Sequence, residues 1–375
     1  MAEKNKKLKV FVAMSGGVDS SVSAALLKRA GFDVFGVYMR QWAPKVLGKE
    51  CIWKQDRQDA MRVCAKLGIP FLTWDYSKEY EKQVGKYIID SYKKGITPNP
   101  DVMCNKIIKF GLFFDRAMKA GADFIATGHY AQIFSLAKSN FFSPRPASSR
   151  AVPTRLKKIY LAHSDRLLKA KDKNKDQTYF LYELKQKQLN KIIFPVGNLE
   201  KSEVRKLAKK FGLPTAEKKD SQGVCFIGPL NMRNFLKSYI KSKKGKIFSL
   251  DKKEIGMHDG AYYYTIGQRH GLDIKDGNGP YFVVKKDINK NIIYVGKESD
   301  LYSKNAKIKN INWIEKPKSF PAEVDARIRY RAPLAKAKIY KNGLLVFKKP
   351  QKAIAAGQSA VFYKNRQVLG GGVIL

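Results

Sequence analysis

The chain has 375 residues, of which 44% are hydrophobic and 28% are charged, as in a globular protein with two or three domains. No apolar stretch is long enough to form a membrane-spanning helix, so that class is excluded. The 73 basic against 32 acidic residues give a net charge of +41, which favours a polyanionic partner such as nucleic acid. A lysine-rich proteome explains the same charge equally well.

The cysteines and the N-terminus indicate a compartment. The four cysteines are Cys51, Cys64, Cys104 and Cys225, and none lies in a CxxC pair, which disfavours a zinc knuckle. The N-terminus runs directly into a predicted strand without a signal peptide. We therefore expect a cytoplasmic protein with no membrane partner, whose thiols are catalytic or buried and not structural disulfides.

The first predicted element is a buried strand, Val10–Met14, followed by the turn Ser15–Gly17 and a helix that begins near Asp19. A strand, a glycine turn and a helix N-terminus together form an anion site, because backbone N–H groups and the helix dipole converge there. No Gly-Lys-Ser/Thr follows, so the turn is not a Walker A loop. The string SGGVDS resembles the loop of the ATP pyrophosphatases, which split ATP into AMP and pyrophosphate. An ordinary glycine turn is the alternative.

Predicted strands and helices then alternate along the chain. Further strands are predicted at Asp33–Met39, Pro70–Trp74 and Asp123–Thr127, and helices at Gln58–Leu67, Val84–Tyr92 and Ile107–Ala120. This alternation predicts a parallel sheet covered by helices, with ligands at the carboxyl ends of the strands. Both Ser15–Ser20 and the turn Thr127–Tyr130 fall at such ends.

The middle of the chain has a different composition. Residues 135–158 are rich in Ser, Pro and Arg and lack periodicity, which predicts a loop. Between Lys138 and Lys175 there are eleven Lys/Arg and two Asp, a density that favours RNA contact. A disordered insertion fits residues 135–158 equally well.

The last third is predicted to be mainly β-structure. A basic amphipathic helix at Lys201–Gly212 precedes it, and one more helix is predicted near Met232–Tyr239. From about Gly223 the pattern is otherwise short alternating runs, which predict a barrel or a sandwich. These runs are Tyr262–Ile266, Tyr281–Val284, Ile292–Val295, Ala335–Tyr340 and Ser359–Tyr363.

The string TPNPDVMCNK at residues 97–106 contains the first candidate nucleophile. Its prolines and asparagines predict a rigid loop before a helix that starts at Ile107. Cys104 would then lie near a helix N-terminus with Lys106 beside it, and both features lower a thiol pKa. Asp101, three residues away, is suited to moving a proton. A buried, inert cysteine is the alternative.

Two further strings carry polar candidates. Cys225, in DSQGVCFIG at residues 220–228, resembles a core cysteine when taken alone. Together with an ATP loop, two separated cysteines suggest sulfur transfer, in which one carries a persulfide and the other resolves it. The segment Asn174–Gln177 offers hydrogen bonds and one cation before a predicted aromatic helix, TYFLY. Asp176 as the N-cap of that helix is the competing explanation.

Taken together, these strings resemble the bacterial tRNA-specific 2-thiouridylases, which thiolate the wobble uridine of certain tRNAs. Matching strings occur in order through nearly the whole chain. They are SGGVDSS (15–21), GVYM (36–39), TPNPDVMCNKIIKFG (97–111), ATGHYA (126–131), NKDQTYFLY (174–182), FPVGNLEKSEVRKLA (194–208), LPTAEKKDSQGVCFIG (213–228), YTIGQRHGL (264–272), RYRAP (329–333) and GQSAVFY (357–363).

The resemblance implies an α/β fold: a Rossmann-like, parallel-sheet ATP pyrophosphatase (PP-loop) domain, a small central domain and a C-terminal β-barrel. We expect the adenylation domain at 1–219 and the central tRNA-binding domain, with the second catalytic cysteine, at 220–295. The barrel is expected at 296–375.

The resemblance also implies a role for individual residues. Cys104 would be the resolving nucleophile, Cys225 the persulfide carrier and Asp101 an acid/base. No residue is assigned as a metal ligand, although Mg²⁺ is expected with ATP. The implied ATP site comprises Ala13, Met14, Ser15, Gly16, Gly17, Val18, Asp19, Ser20, Met39 and Gly128. The implied tRNA contacts are Asn99, Pro100, Asp101, His129, Lys175, Asp176, Gln177, Arg329, Tyr330 and Gln358.

The implied reaction joins AMP to the C2 oxygen of the wobble uridine and replaces it with sulfur, leaving a Cys104–Cys225 disulfide. Expected partners are tRNAs for Lys, Glu and Gln, and a cysteine desulfurase or sulfur-relay protein. One alternative is a pyrophosphatase of the lysidine synthetase kind, which activates a tRNA base without sulfur. The other is a non-catalytic tRNA-binding protein with a decayed nucleotide loop.

Overall fold

The computed structural model describes residues 7–44, 52–134, 165–220, 232–274 and 276–375. Cys51, Cys225 and the predicted loop at 135–158 lie outside the described residues. Within the described ranges, no helix combines the length and the apolar character needed to cross a membrane.

The N-terminal domain is built on a five-stranded parallel sheet with helical connections. Its strands are β1 (Lys9–Met14), β2 (Asp33–Arg40), β3 (Phe71–Asp75), β4 (Phe124–Thr127) and β7 (Ile192–Ile193). Its helices are α1 (Val18–Arg29), α2 (Ile52–Leu67), α3 (Ser77–Tyr80), α4 (Lys86–Lys93), α5 (Pro100–Met103), α6 (Phe114–Lys119), α7 (Gln186–Leu189) and α8 (Lys201–Lys210), with π-helical stretches at Glu81–Gly85 and Cys104–Phe113. The order β3-β2-β1-β4-β7, parallel throughout, confirms the predicted Rossmann-like sheet.

The strand order reverses at β1, whose end leads into the glycine turn. Strand β2 pairs with one edge of β1 and β4 with the other, so that Ala13 lies level with both Val37 and Thr127. Apart from Lys9, every residue of β1 is buried, as expected of a central strand covered on both faces. The turns after β1, β2 and β4 therefore meet at one edge, where open α/β sheets bind ligands.

The helix that carries Cys104 begins at Pro100 and not at the predicted Ile107. The side chain of Asn99 accepts a hydrogen bond from the Val102 backbone N–H at 3.3 Å and so caps the helix. Pro100 takes the first helical position, where a missing N–H has no partner to lose. The prediction was wrong because it treated both prolines as loop formers. Cys104 therefore lies one turn inside the helix.

Two further sheets follow. The central sheet, β10-β11-β8-β9, has strands β8 (Gly245–Ser249), β9 (Glu254–His258), β10 (Phe282–Asp287) and β11 (Ile292–Gly296), preceded by α9 (Met232–Lys237). The predicted strand at Tyr262–Ile266 is wrong: this tyrosine-rich run forms a 3-10 turn at Ala261–Tyr263, which buries two of its three side chains without strand pairing.

The C-terminal sheet closes into an antiparallel barrel. Its strands are β5 (Ala131–Phe134), β6 (Arg166–Lys169), β12 (Tyr302–Trp313), β13 (Ala322–Arg327), β14 (Ala335–Ile339), β15 (Leu344–Lys352), β16 (Ser359–Lys364) and β17 (Gln367–Ile374). Pairing of β12 with β17 closes the sheet. Of the two predicted alternatives, a barrel or a sandwich, this part of the chain therefore forms a barrel. Strands β5 and β6, from the N-terminal part of the chain, extend this sheet beyond β17.

A buried ion pair also joins the two parts of the chain. The Asp176 carboxylate lies 3.2 Å from a guanidinium nitrogen of Arg327 at the end of β13, and the side chains are 4% and 13% exposed. Asp176 further accepts hydrogen bonds from the backbone of Ala170 and from Thr178. The predicted aromatic helix is only a 3-10 turn, Thr178–Phe180. Asp176 therefore has a structural task in addition to any contact with a ligand.

We expect Arg327→Met to lower the free energy of unfolding by about 3 kcal/mol, because it leaves the Asp176 carboxylate buried without its counter-ion. Lys336→Met is the matched control. It breaks the 2.8 Å pair with Asp325 on the neighbouring strands, where the lysine is 70% exposed, and should cost less than about 1 kcal/mol. Urea unfolding measures both, and equal losses would contradict a buried role for the Asp176 pair.

Candidate active site

A hydrogen-bonded turn, Ser15–Gly17, links β1 to α1. The Ser15 N–H donates to Ser20 Oγ at 3.2 Å, and the Ser20 hydroxyl donates to the Gly17 carbonyl at 3.1 Å. Gly16 has a φ of +76°, and a Cβ there would lie 2.2 Å from the carbonyl oxygen of Asp56. No other residue fits at Gly16. The first N–H groups of α1 have no partners within the helix and are available to an anion.

The end of β4 packs directly against this turn. A Cβ on Gly128 would lie 2.6 Å from the backbone nitrogen of Ser20 and 2.8 Å from the carbonyl carbon of Asp19. Met39, near the end of β2, is fully buried on the other side of β1. The structure thus brings Ala13–Ser20, Met39 and Gly128 together at one edge of the sheet.

A network of charged side chains adjoins Asp19. Lys201, the first residue of α8, donates to both carboxylate oxygens of Asp19 at 2.7 and 2.9 Å and pairs with Asp220 at 2.9 Å. Lys175 and Arg205 each lie 2.6 Å from Asp220. Burial would raise the pKa of Asp220, but hydrogen bonds from Lys175 and Lys201 outweigh it and hold that pKa well below its usual value. Three cations thus share two carboxylates.

A buried histidine and lysine lie behind Gly128. His129 and Lys109 are each 6% exposed, and Lys109 Nζ donates to His129 Nε2 at 3.4 Å. Since a lysine only donates, His129 Nε2 accepts, and Nδ1–H donates to Thr127 Oγ1 at 2.7 Å. Burial, and next the charge of Lys109, hold the pKa of His129 well below its usual value. His129 is therefore neutral at physiological pH.

Cys104 lies on the buried side of its helix, near the end of β2. Its side chain is 1% exposed, and Sγ lies 3.9 Å from Oε1 of Gln41, the residue that follows β2.

The expectation that Lys106 assists the thiol does not fit the geometry. Lys106 pairs with Glu183 at 3.0 Å, since residues two apart face different sides of a helix. In a π-helix, residues five apart lie one turn apart, so the buried Lys109 follows Cys104 by one turn.

The segment Asn174–Gln177, which is predicted to contact tRNA, adjoins the turn Ser15–Gly17 and the start of α1. We call this turn and helix start the nucleotide turn. The Gln177 side chain accepts a hydrogen bond from the Tyr130 N–H at 2.9 Å, and the Gln177 N–H donates to the Tyr130 carbonyl at 2.9 Å. The Tyr130 hydroxyl in turn donates to Asp19 at 2.9 Å. Lys175 is 32% exposed and joins the network through Asp220.

The candidates on the barrel lie at its junction with the N-terminal domain. Tyr330, half-buried, packs on Phe180 with ring centroids 4.4 Å apart, and Arg329 beside it is exposed. The Gln358 amide donates to the carbonyls of Thr97 and Pro98 at 3.1 and 3.2 Å. These two residues immediately precede Asn99, which is itself buried.

Two charged residues of the site were absent from the sequence-based candidates. Lys109 stands in the otherwise apolar run IIKFG, and a lone charge in such a run was the available signal. Lys201 lies in a basic, amphipathic helix among other lysines, so nothing local distinguishes it from solvated neighbours.

The fold and the glycine turn define a class: a nucleotide-binding α/β domain followed by two β domains. Three family models match successive parts of the chain. The tRNA methyl transferase HUP domain covers residues 8–229, the tRNA methyl transferase PRC-barrel domain 233–297 and the aminomethyltransferase β-barrel domain 303–374.

Relatives extend along the full chain. The tRNA-specific 2-thiouridylase MnmA of Streptococcus uberis is 44% identical, over 99% of this chain and 96% of its own length. The enzymes of that name from Halalkalibacterium halodurans and Alkaliphilus oremlandii are 43% and 44% identical over 100% of this chain and 96% and 99% of theirs. The chain belongs to the tRNA-specific 2-thiouridylase family.

We expect Gly128→Ala to weaken ATP binding roughly tenfold or more, because the added methyl group displaces the start of α1. Gly121→Ala, just before β4, is the control: a Cβ there meets nothing within 4 Å, although its φ is +81°. The control should lose about 1 kcal/mol of stability but no ATP affinity. Isothermal titration with ATP measures the difference, and equal affinities would show that the close approach at Gly128 is unimportant.

The buried His129 predicts a pH dependence of stability. Below pH 6.5, a histidine in the unfolded chain binds a proton that folded His129 does not bind. The free energy of unfolding therefore decreases as the pH is lowered. His129→Gln should remove about 1.4 kcal/mol of the loss between pH 7.5 and 5.5. Urea unfolding of both proteins at the two pH values measures it. Identical pH dependence would mean that His129 takes up a proton in the folded state.

Proposed function

We propose that this protein is a tRNA-specific 2-thiouridylase, an ATP-dependent sulfurtransferase that converts the wobble uridine, U34, to 2-thiouridine with release of AMP and pyrophosphate. The observation that carries the proposal is 44% identity, over 99% of the chain, to a protein of that name. The hydrogen-bonded turn Ser15–Gly17 and the buried Cys104 near the end of β2 support the proposed chemistry.

The residues at the sheet edge fit ATP. Because Gly16 and Gly128 have no side chains, the turn packs against Asp56 and the end of β4 packs against the start of α1, whose first N–H groups can bind a phosphate. In this proposal Ala13–Ser20, Met39 and Gly128 hold the nucleotide. Both Asp19 carboxylate oxygens accept hydrogen bonds from Lys201, so the Mg²⁺ expected with ATP would be held mainly by phosphate oxygens. Bound there, Mg²⁺ would neutralise charge on the departing pyrophosphate.

Activation comes first because the uracil C2 carbonyl is a poor electrophile. Its oxygen attacks the α-phosphate of ATP, pyrophosphate leaves, and the C2 oxygen becomes part of a good leaving group, AMP. Asp101 takes or returns the proton of the base; it lies in the first turn of the helix, three residues before Cys104, and so on the same side. The N–H groups at the start of α1 stabilise the developing negative charge.

Sulfur transfer follows from the two cysteines. The terminal sulfur of a Cys225 persulfide attacks C2, and AMP leaves with the original oxygen. The Cys104 thiolate then attacks the Cys225 sulfur, which releases the other sulfur as the 2-thiocarbonyl. Two thiols are thereby oxidised to a Cys104–Cys225 disulfide, and an external thiol must reduce it. The persulfide role of Cys225 rests on the family resemblance.

The proposed tRNA surface is basic and lies at the domain junction. A cavity of about 340 Å³ there is lined by four cations, one carboxylate and one amide: Lys173, Lys175, Arg327, Arg331, Asp176 and Asn174. Exposed Arg329 and half-buried Tyr330 lie on the adjoining turn and offer a cation and an aromatic face to RNA. Asn99, Pro100, Asp101, His129 and Gln177 would be nearest to the flipped base. Asp176, being buried, supports this surface from within.

The remaining parts of the proposal are the partners and the setting. The tRNAs are those with a wobble uridine that accept Lys, Glu and Gln, and a cysteine desulfurase or a sulfur-relay protein supplies sulfur. Residues 1–219, 220–295 and 296–375 are the proposed functional units, acting in the cytoplasm.

The decisive assay incubates the protein with wobble-uridine tRNA, Mg-ATP, cysteine and a cysteine desulfurase. Mass spectrometry of nucleosides should find 2-thiouridine, with matching AMP and pyrophosphate. Cys104→Ser and Cys225→Ser should each abolish thiolation while pyrophosphate still forms. Cys64→Ala is the matched control, because burial raises the pKa of the Cys64 thiol to about 12 and leaves it unreactive. Normal thiolation by either serine variant would contradict the two-cysteine scheme.

The same assay separates the alternatives. Pyrophosphate with a modified base but no dependence on Cys225 would indicate a lysidine synthetase-like enzyme. Absence of both pyrophosphate and thiouridine would favour a tRNA-binding protein. A methylated nucleoside formed with a methyl donor would instead support the activity in the names of the family models.

A further inference from the structure

Thr97 and Pro98, which precede the helix that carries Asp101 and Cys104, are held by the C-terminal barrel. The Thr97 N–H donates to the Ala356 carbonyl at 3.0 Å, and the Thr97 and Pro98 carbonyls accept from the Gln358 side chain at 3.1 and 3.2 Å. Pro98 has no N–H. Every backbone hydrogen-bonding group of Thr97 and Pro98 is therefore bonded to the barrel turn Ala355–Gln358.

That barrel turn is itself fixed and closely packed. The N–H of Gly357 donates to the Ile374 carbonyl, and the Ile374 N–H donates to the Gln358 carbonyl, both at 2.8 Å. Gly357 has a φ of +90°, and a Cβ there would lie 2.2 Å from the Ile96 side chain and 2.7 Å from the Thr97 carbonyl oxygen. The last strand of the barrel thus sets the position of Thr97.

The central domain contacts the same segment from another side. The hydroxyl groups of Thr97 and Thr265 are hydrogen-bonded at 3.1 Å, across 168 residues of sequence. A Cβ on Gly95 would lie 2.4 Å from the Ile288 side chain, so the N-terminal and central domains are in close contact there. The three residues Thr97, Thr265 and Gln358 form what we term the interdomain clamp.

We propose that Gln358 and Thr265 are positioning residues: they hold Thr97–Asn99 in the conformation that aims Asp101 and Cys104 at the nucleotide turn. The active site is then complete only when both β domains are docked on the N-terminal domain. The catalytic consequence rests on the proposed function, whereas the clamp itself is a property of the protein without substrates.

The two donors of the Gln358 amide are bonded to the protein and are not free for RNA phosphates. A glutamine side chain has two N–H donors, and the Thr97 and Pro98 carbonyls engage both. RNA phosphates are acceptors, so Gln358 cannot bind one without releasing the segment. Asn99 transmits the position to the helix, because its side chain caps the N–H of Val102.

The test compares Gln358→Leu with Gln351→Leu in the full-length protein. Gln351 is a matched control: its amide also donates to two successive carbonyls, those of Lys349 and Pro350, but within its own strand. Thr265→Val removes the second contact, and Thr265→Ser restores the hydroxyl. Three quantities are measured: amide hydrogen exchange at residues 97–104 without substrates, affinity for tRNA, and the single-turnover thiolation rate at saturating tRNA.

We expect Gln358→Leu to speed exchange at residues 97–104 roughly tenfold, from the loss of hydrogen bonds worth about 1.4 kcal/mol. The thiolation rate should fall roughly ten- to a hundredfold through misplacement of the helix start, with tRNA affinity unchanged. Thr265→Val should act in the same direction and Thr265→Ser should match the wild type. Gln351→Leu should change none of the three.

Weaker tRNA affinity with an unchanged rate would identify Gln358 as a tRNA contact and overturn the proposal. Unchanged exchange in both Gln358→Leu and Thr265→Val would overturn it as well. If Gln358→Leu fails to fold, Thr265→Val against Thr265→Ser decides alone. If the wild type does not thiolate tRNA, the proposed function fails, while hydrogen exchange still tests the clamp.

Discussion

The close approach of β4 to the first turn of α1 is the constraint on which the active site depends. Because Gly128 has no side chain, the chain passes against the backbone of α1 and then turns inward. His129 thereby becomes buried against Lys109, and the Tyr130 hydroxyl reaches Asp19. The contact of Gly128 with the start of α1 thus fixes three things: the nucleotide turn, the neutral His129, and the position of Gln177, which is hydrogen-bonded to Tyr130.

Charge is used in two different ways in this protein. Most lysines in the described ranges are exposed, where each contributes little to stability and much to attraction of a polyanion. At the nucleotide turn, by contrast, Lys201 and its neighbours are held in fixed positions by Asp19 and Asp220. Groups held in place before a ligand arrives need little reorganisation when charge develops, which is the basis of electrostatic catalysis.

The sequence was informative where the determinants are local. Alternating strands and helices predicted the parallel sheet, and the string around SGGVDS predicted a strand, a turn and a helix, because each depends on neighbours in the chain. Lys106 was named because it is close to Cys104 in sequence, although a helix places it on another side. Contacts such as Gln358 with Thr97, 261 residues apart, leave no local pattern. They arise from docking of whole domains, which periodicity does not encode.

The π-helical stretch Cys104–Phe113 has a consequence for how this region tolerates changes in chain length. Its i→i+5 bonding accommodates one more residue per turn than the i→i+4 bonding of an α-helix. Loss of a single residue would let ordinary helical bonding resume, so the helix would survive. Cys104 and Lys109 would then be four residues apart in an α-helix, and residues four apart in an α-helix lie one turn apart on the same side. A one-residue deletion between Cys104 and Lys109 would thus be absorbed by the change from π-helical to α-helical bonding, and the two side chains would stay on one side of a helix that still folds.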